Sequence, residues 1–368
     1  MRALQNGSSL PEVPSSPCPC VRRVRRARIQ GFQSAATILI LKALLRFLRP
    51  TLYEGLTPFH IPTAAIAQKS VMDSERYREL AAKESKHWDE VQPDPKNPQI
   101  WHDQRLFEIF FGSEYRHLLE RAVACGPNVL ELGCGEGNLA IELAQRSLQV
   151  TAIDLSPARI ERAQARARQL RLAHQPKFLV GDLNAVTLPA KAFDCAVAHD
   201  SLHHVMNVSR LCDEVRKSLR PSGSFLVVDF IGMGPVRKAM AAFLYTILPT
   251  YQPYRMKWNL RHRLPAFLAG EQRKRKALER GSSTTLHPDS PFEEISQASI
   301  LEEIARRLTI VELRTFCPFW YYLAAKVRLP RALKYPAAEF LHGFDAAITR
   351  FHLAKGAYFF LEAGNTQL

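Results

Sequence analysis

Between residues 129 and 230, short β-type runs alternate strictly with helical segments, and this alternation restricts the fold more than any other feature of the chain. Residues 129–132, 150–153, 178–180, 195–198 and 225–230 read as strands. Strands that succeed one another only after a helical crossover lie parallel. Ser156 as N-cap and Pro157 at the first helical position open a helical segment carried on by residues 159–172. Leu211, Val215 and Leu219, spaced by four, give the next helix a buried stripe. Further runs at 310–316 and 358–361, with a helix over 331–352 between them, complete the set. The expected fold is α/β: a doubly wound, mostly parallel seven-stranded sheet. Helices over 74–91 and 101–124 precede it, separated by Pro93, Pro95 and Pro98, and helical pattern resumes over 292–308.

The first strand ends in Glu131-Leu132-Gly133-Cys134-Gly135-Glu136-Gly137, which opens a helix. Glycines there let the backbone approach a ligand that a Cβ would exclude. The spacing is not the dinucleotide fingerprint, because Asn138 stands where that pattern needs its third glycine. Asp154 closes the second strand, where a carboxylate accepts hydrogen bonds from both ribose hydroxyls. The third strand runs into Gly181-Asp182-Leu183, which offers a carboxylate to a purine edge and an apolar side chain to its face. Three acids at one crevice repel a pyrophosphate and suit a cation such as the sulfonium and ammonium of S-adenosylmethionine.

In these motifs residues 125–232 resemble the class I methyltransferase family, which implies S-adenosylmethionine as cofactor and a Rossmann-like sheet. The resemblance implies that Glu131, Gly133, Gly135 and Gly137 hold the methionyl end. Asp154 would take the ribose with Leu155 beside it, Asp182 and Leu183 would flank the adenine, and His199 would offer its backbone carbonyl to the cofactor's amino group. Arg220-Pro221-Ser222-Gly223 corresponds to the family's turn before the fifth strand, with Ser222 in place of a usual glycine. His203, and after it His204, are the candidates for a general base, since they follow the fourth strand where an acceptor approaches. The resemblance also places the acceptor chamber between the N-terminal helices (Trp88, Trp101, Phe107, Phe111) and a segment after the fifth strand (Tyr245, Tyr251, Tyr254, Trp258).

Charge divides the chain of 368 residues. Residues 1–71 carry ten Lys/Arg against two acids and residues 233–281 eleven against two, while the remainder is close to neutral. A main surface without net positive charge argues against nucleic acid as partner. The expected organisation is a basic Pro/Ser-rich tail over 1–71, helices covering the active site over 72–124, a cofactor-binding core over 125–232, a basic aromatic insertion over 233–290, and C-terminal helices with the last strands over 291–368. The apolar run at 35–48 is too short to span a bilayer and is interrupted by Lys42 and Arg46. It suits an amphipathic, surface-seeking helix, and function is expected to survive removal of everything before Met72. The seven cysteines form no Cys-x-x-Cys pair, so the expectation is reduced thiols, no metal and a cytoplasmic enzyme in peripheral contact with membranes through its basic segments.

The leading expectation is therefore a methyltransferase acting on a small molecule, with a lipid-like compound, a quinone or a secondary metabolite in view. An RNA methyltransferase and a noncatalytic S-adenosylmethionine-binding subunit are the alternatives.

Overall fold

The computed structural model describes residues 75–172, 174–258, 290–296 and 299–365. The expected tail over 1–71 and the basic cluster Arg261, Arg263 and Arg273 to Lys276 lie outside the described residues.

Seven strands form one sheet in the order β3-β2-β1-β4-β5-β7-β6. They are β1 (Asn128–Leu132), β2 (Gln149–Asp154), β3 (Lys177–Val180), β4 (Phe193–His199), β5 (Leu219–Phe230), β6 (Thr309–Phe316) and β7 (Tyr358–Gly364). β1 to β5 are mutually parallel, and β7 runs antiparallel to both neighbours, β5 and β6. The doubly wound, mostly parallel sheet expected from the alternation is the one observed.

Side chains alternate across the sheet. Val129, Val150, Cys195, Val197, Leu226 and Val228 pack on one face, together with helices α3 (Gly112–Cys125), α4 (Asn138–Gln145) and α5 (Pro157–Gln169). Leu130, Leu132, Ala196, Ala198, Phe225 and Val227 pack on the other, with α6 (Val208–Ser218) and the later helix Ile300–Ala305. A strand buried on both faces is apolar nearly throughout, which is why these segments read as continuous runs.

The structure departs from the sequence reading at four places. The helix expected over 101–124 is broken: a 3-10 turn at Ile100–His102 leads into α2 (Gln104–Phe110), and α3 starts afresh at Gly112. Asp103 causes the first break, because its side chain caps the Leu106 N–H at 3.1 Å. Leu219 belongs to the start of β5, not to the helical stripe, though it is buried as expected. The Arg220 to Gly223 turn is a bulge within β5, with Phe193 paired to Leu219 and Cys195 to Ser224. Over 292–308 only Ile300–Ala305 is helical; Phe292 and Ile295 are buried from a non-helical segment.

Helix α1 (Glu75–Glu90) matches the first expected helix and lies against the carboxyl ends of β2 and β3. Its Ser85 Oγ donates to Leu155 O at 3.2 Å, and Asp89 accepts from the Ser156 hydroxyl at 2.5 Å and the Ala158 N–H at 3.1 Å. Among the described residues no helix is long and apolar enough to cross a membrane.

Candidate active site

The loop after β1 has Gly133, Gly135 and Gly137 at φ of 76°, 53° and 75°, the left-handed region. At Gly133 the requirement is double, since a Cβ there would also stand 2.4 Å from the Ser201 Cβ. The loop is tied to β2: Gly133 N–H and Cys134 N–H donate to Ile153 O, and Gly135 N–H donates to Asp154 Oδ2 at 2.7 Å. The other oxygen of Asp154 accepts from Ser156 N–H at 2.9 Å. Each oxygen of this buried carboxylate therefore keeps acceptor capacity for a ligand.

Glu131 lies beneath the same loop, 3% exposed, and its Oε2 has no hydrogen-bond partner. Burial, and then the neighbouring Asp154 charge, push its carboxyl up to about 8. A buried acid in this state is paired either with a proton or with a cation. Asp182 accepts from the Tyr77 hydroxyl at 2.6 Å and from Asn184 N–H at 2.9 Å, so α1 reaches the crevice at the end of β3. Leu183 is buried beside it, and Leu155 is half-buried under α1. The Arg159 guanidinium stacks 4.2 Å over the Trp88 ring, close to the glycine loop.

Beyond the body of β4 three histidines stand in different surroundings. His199 is held well below the usual imidazole range, at about 4, by burial, and its ring meets Tyr115 at 5.3 Å and Trp101 at 6.4 Å between centroids. His203 Nδ1 lies 2.6 Å from Asp229 Oδ1. Burial alone would lower the His203 pKa, but the charge and hydrogen bond of Asp229, with Asp200 behind, raise it to about 10. Asp229 thus favours the protonated form of His203, the candidate general base. His204 lies between two acids, with Nδ1 3.2 Å from Glu84 and Nε2 3.7 Å from Glu293. Glu84 in turn accepts from Trp88 Nε1, Ser290 Oγ and Phe292 N–H.

Among the described residues, the aromatic side chains expected to line the chamber fall into separate groups. Trp101, Phe107 and Phe111 form one cluster with Tyr358 of β7, Phe111 and Tyr358 being 4.8 Å apart. Trp88 stands apart from it against His204, at 5.3 Å. Tyr245 packs away with Phe319 and Leu323, and Tyr251, Tyr254 and Trp258 are exposed. Sequence reasoning missed Tyr77, Glu84, Arg159 and Asp229. Only Asp229 carried a signal, as an acid inside an otherwise apolar strand.

Residues 130–227 match the family model described as a methyltransferase domain. Residues 130–227 thus form a methyltransferase domain. This domain is similar to an uncharacterised methyltransferase of Mycobacterium bovis, 34% identical over 119 residues, covering 32% of this chain and 58% of the relative. It is also similar to the 27-O-demethylrifamycin SV methyltransferase of Amycolatopsis mediterranei, 32% identical over 29% of this chain and 39% of the relative. The chain thus spans little more than half the length of the mycobacterial relative. Among solved structures, geranyl diphosphate C-methyltransferase from Streptomyces coelicolor superposes with a TM-score of 0.46 at 14% identity, covering 80% of this chain and 99% of that one.

The cofactor of the methyltransferase domain is S-adenosylmethionine, and the orphaned, buried Glu131 oxygen fits a ligand bearing an ammonium and a sulfonium. A cationic ligand binds the ionised form of Glu131, so its affinity should rise with pH until the carboxyl has lost its proton near 8. Replacing Glu131 by Gln should weaken cofactor binding by about 100-fold above that pH, equivalent to about 2.7 kcal/mol. Titration calorimetry of both proteins across this range checks it. The ligand's own ammonium titrates alike for both, so the difference reports Glu131; equal pH profiles would contradict the assignment.

Proposed function

We propose that this protein transfers a methyl group from S-adenosylmethionine to a small, apolar acceptor of lipid-like or aromatic character. The observation that carries this reading is the aromatic wall of Trp101, Phe107, Phe111 and Tyr358, at the same edge of the sheet as the acidic crevice. When bound, the cofactor supplies a methyl already activated by a positively charged sulfur, so the protein's task is largely positioning. Glu131 would neutralise the methionyl ammonium, Asp154 would take the ribose hydroxyls, and Asp182 with Leu183 would flank the adenine. His203 holds its proton against Asp229 and keeps the loop after β4 in place, and His199, neutral through burial, adds no charge beside the aromatic wall.

The exposed Val236, Phe243 and Ile247 on α7 (Pro235–Ile247), which also bears Arg237 and Lys238, support work at an anionic membrane surface that delivers the acceptor. The test is turnover of S-adenosylmethionine to S-adenosylhomocysteine with a panel of quinones, phenols and isoprenoids, free and in anionic vesicles. Trp101→Ala should raise KM for the accepted compound about 10-fold and leave cofactor affinity unchanged, a loss of about 1.4 kcal/mol. Turnover on RNA alone, falling steeply with salt, would favour the nucleic-acid alternative instead.

A further inference from the structure

The two histidines after β4 have a common geometry that methyl transfer does not use. They are neighbours on the 3-10 turn Leu202–His204, with ring centroids 4.3 Å apart. Each has a carboxylate at its Nδ1 nitrogen: Asp229 at 2.6 Å for His203 and Glu84 at 3.2 Å for His204. The hydrogen bond of Asp229 at Nδ1 leaves Nε2 of His203 to act as a ligand, as metal-binding histidines are commonly oriented, whereas Glu84 is a charged neighbour of His204 Nδ1 and not its hydrogen-bond acceptor. His204 Nε2 lies 3.7 Å from Glu293 Oε2, and one ligand atom from each of His203, His204 and Glu293 falls within 4.8 Å of the other two. Around a tetrahedral ion with bonds of about 2.1 Å, neighbouring ligand atoms stand roughly 3.4 Å apart. The pair at 3.7 Å is therefore close to that spacing.

We propose that His203, His204 and Glu293 form a binding site for a divalent transition-metal ion, with Asp229 as the carboxylate that orients the His203 imidazole. Two nitrogens and one oxygen suit zinc, cobalt, iron or manganese better than magnesium or calcium, which take oxygen ligands. Three protein ligands leave at least one position for water or for an oxygen of a bound molecule. Binding at His203 Nε2 displaces the proton there to solvent and leaves the Asp229 contact on Nδ1 intact. The site stands independently of the methyl-transfer reading, because none of its three ligands belongs to the cofactor crevice.

The test is titration of cobalt(II) into the full-length protein stripped of metal by a chelator, followed through the visible bands of the coordinated ion. One equivalent should bind, with zinc displacing it and millimolar magnesium failing to do so. His204→Gln and Glu293→Gln should each weaken binding by at least about 100-fold. Glu293→Gln alters a side chain near the surface, and unchanged S-adenosylmethionine affinity in that variant shows that its fold is intact. Absence of the bands, or cobalt affinity equal in the wild type and both ligand variants, would overturn the assignment. Displacement by magnesium as readily as by zinc would overturn it too.

Discussion

Asp229→Ala should destabilise the protein by about 3–5 kcal/mol, the usual effect of removing one member of a buried ion pair. Asp229 is fully buried, and besides His203 it accepts from the N–H groups of Ser201, Leu202 and Phe230. Its loss leaves the buried imidazolium without its hydrogen-bonded carboxylate, Asp200 at 4.0 Å being the nearest remaining acid, and strips the acceptor from three backbone donors. Stability should also change its pH dependence. Because the folded His203 is raised to about 10, its contribution is complete below the unfolded histidine value near 6.5 and is lost as pH climbs toward 10. Denaturant melts of the two proteins at a series of pH values check both points. The gap should narrow from neutral pH upward, and a gap under 1 kcal/mol at neutral pH would contradict the pairing.

Asp154→Ala should lower S-adenosylmethionine affinity by about 1000-fold, or about 4 kcal/mol. The effect is large because one side chain does two things. It accepts from Gly135 N–H and Ser156 N–H, which hold the glycine loop and the start of α5 in register, and it leaves lone pairs for the ribose. Titration calorimetry with S-adenosylmethionine, using NADH as a control ligand, measures it. Asp154→Asn keeps the shape and one acceptor oxygen, so it should recover part of the loss. Equal affinity in all three proteins would remove Asp154 from the cofactor site.

The parts of the fold visible in the sequence were those with local causes. The β-α alternation, the Ser156-Pro157 helix start and the left-handed glycines each follow from neighbouring residues. The sheet then brings the loops after β1, β2 and β3, with Glu131, Asp154 and Asp182, to one edge. What could not be read depended on distant contacts. The pairing of His203 with Asp229, 26 residues further on, has no local signature. Helical periodicity shows which side of α1 is apolar, but not that Tyr77 meets Asp182 or that Glu84 meets His204. The helix expected over 101–124 broke because Asp103 offers a capping carboxylate in mid-pattern, a choice that tertiary packing decides.

The position of β7 in the sheet has a bearing on how the molecule is made. Among the described residues β6 pairs only with β7, and β7 pairs with β5, so the strand that completes that side of the sheet is the last of these seven to leave the ribosome. Until then the β5 backbone between Ser224 and Phe230 is an open edge beside apolar Leu226 and Val228, the kind of surface that pairs with other chains. The nascent protein therefore passes through an aggregation-prone interval that ends only when residues 358–364 dock. The same event delivers Tyr358 to the aromatic wall, so covering the β5 edge and completing the aromatic cluster are one step.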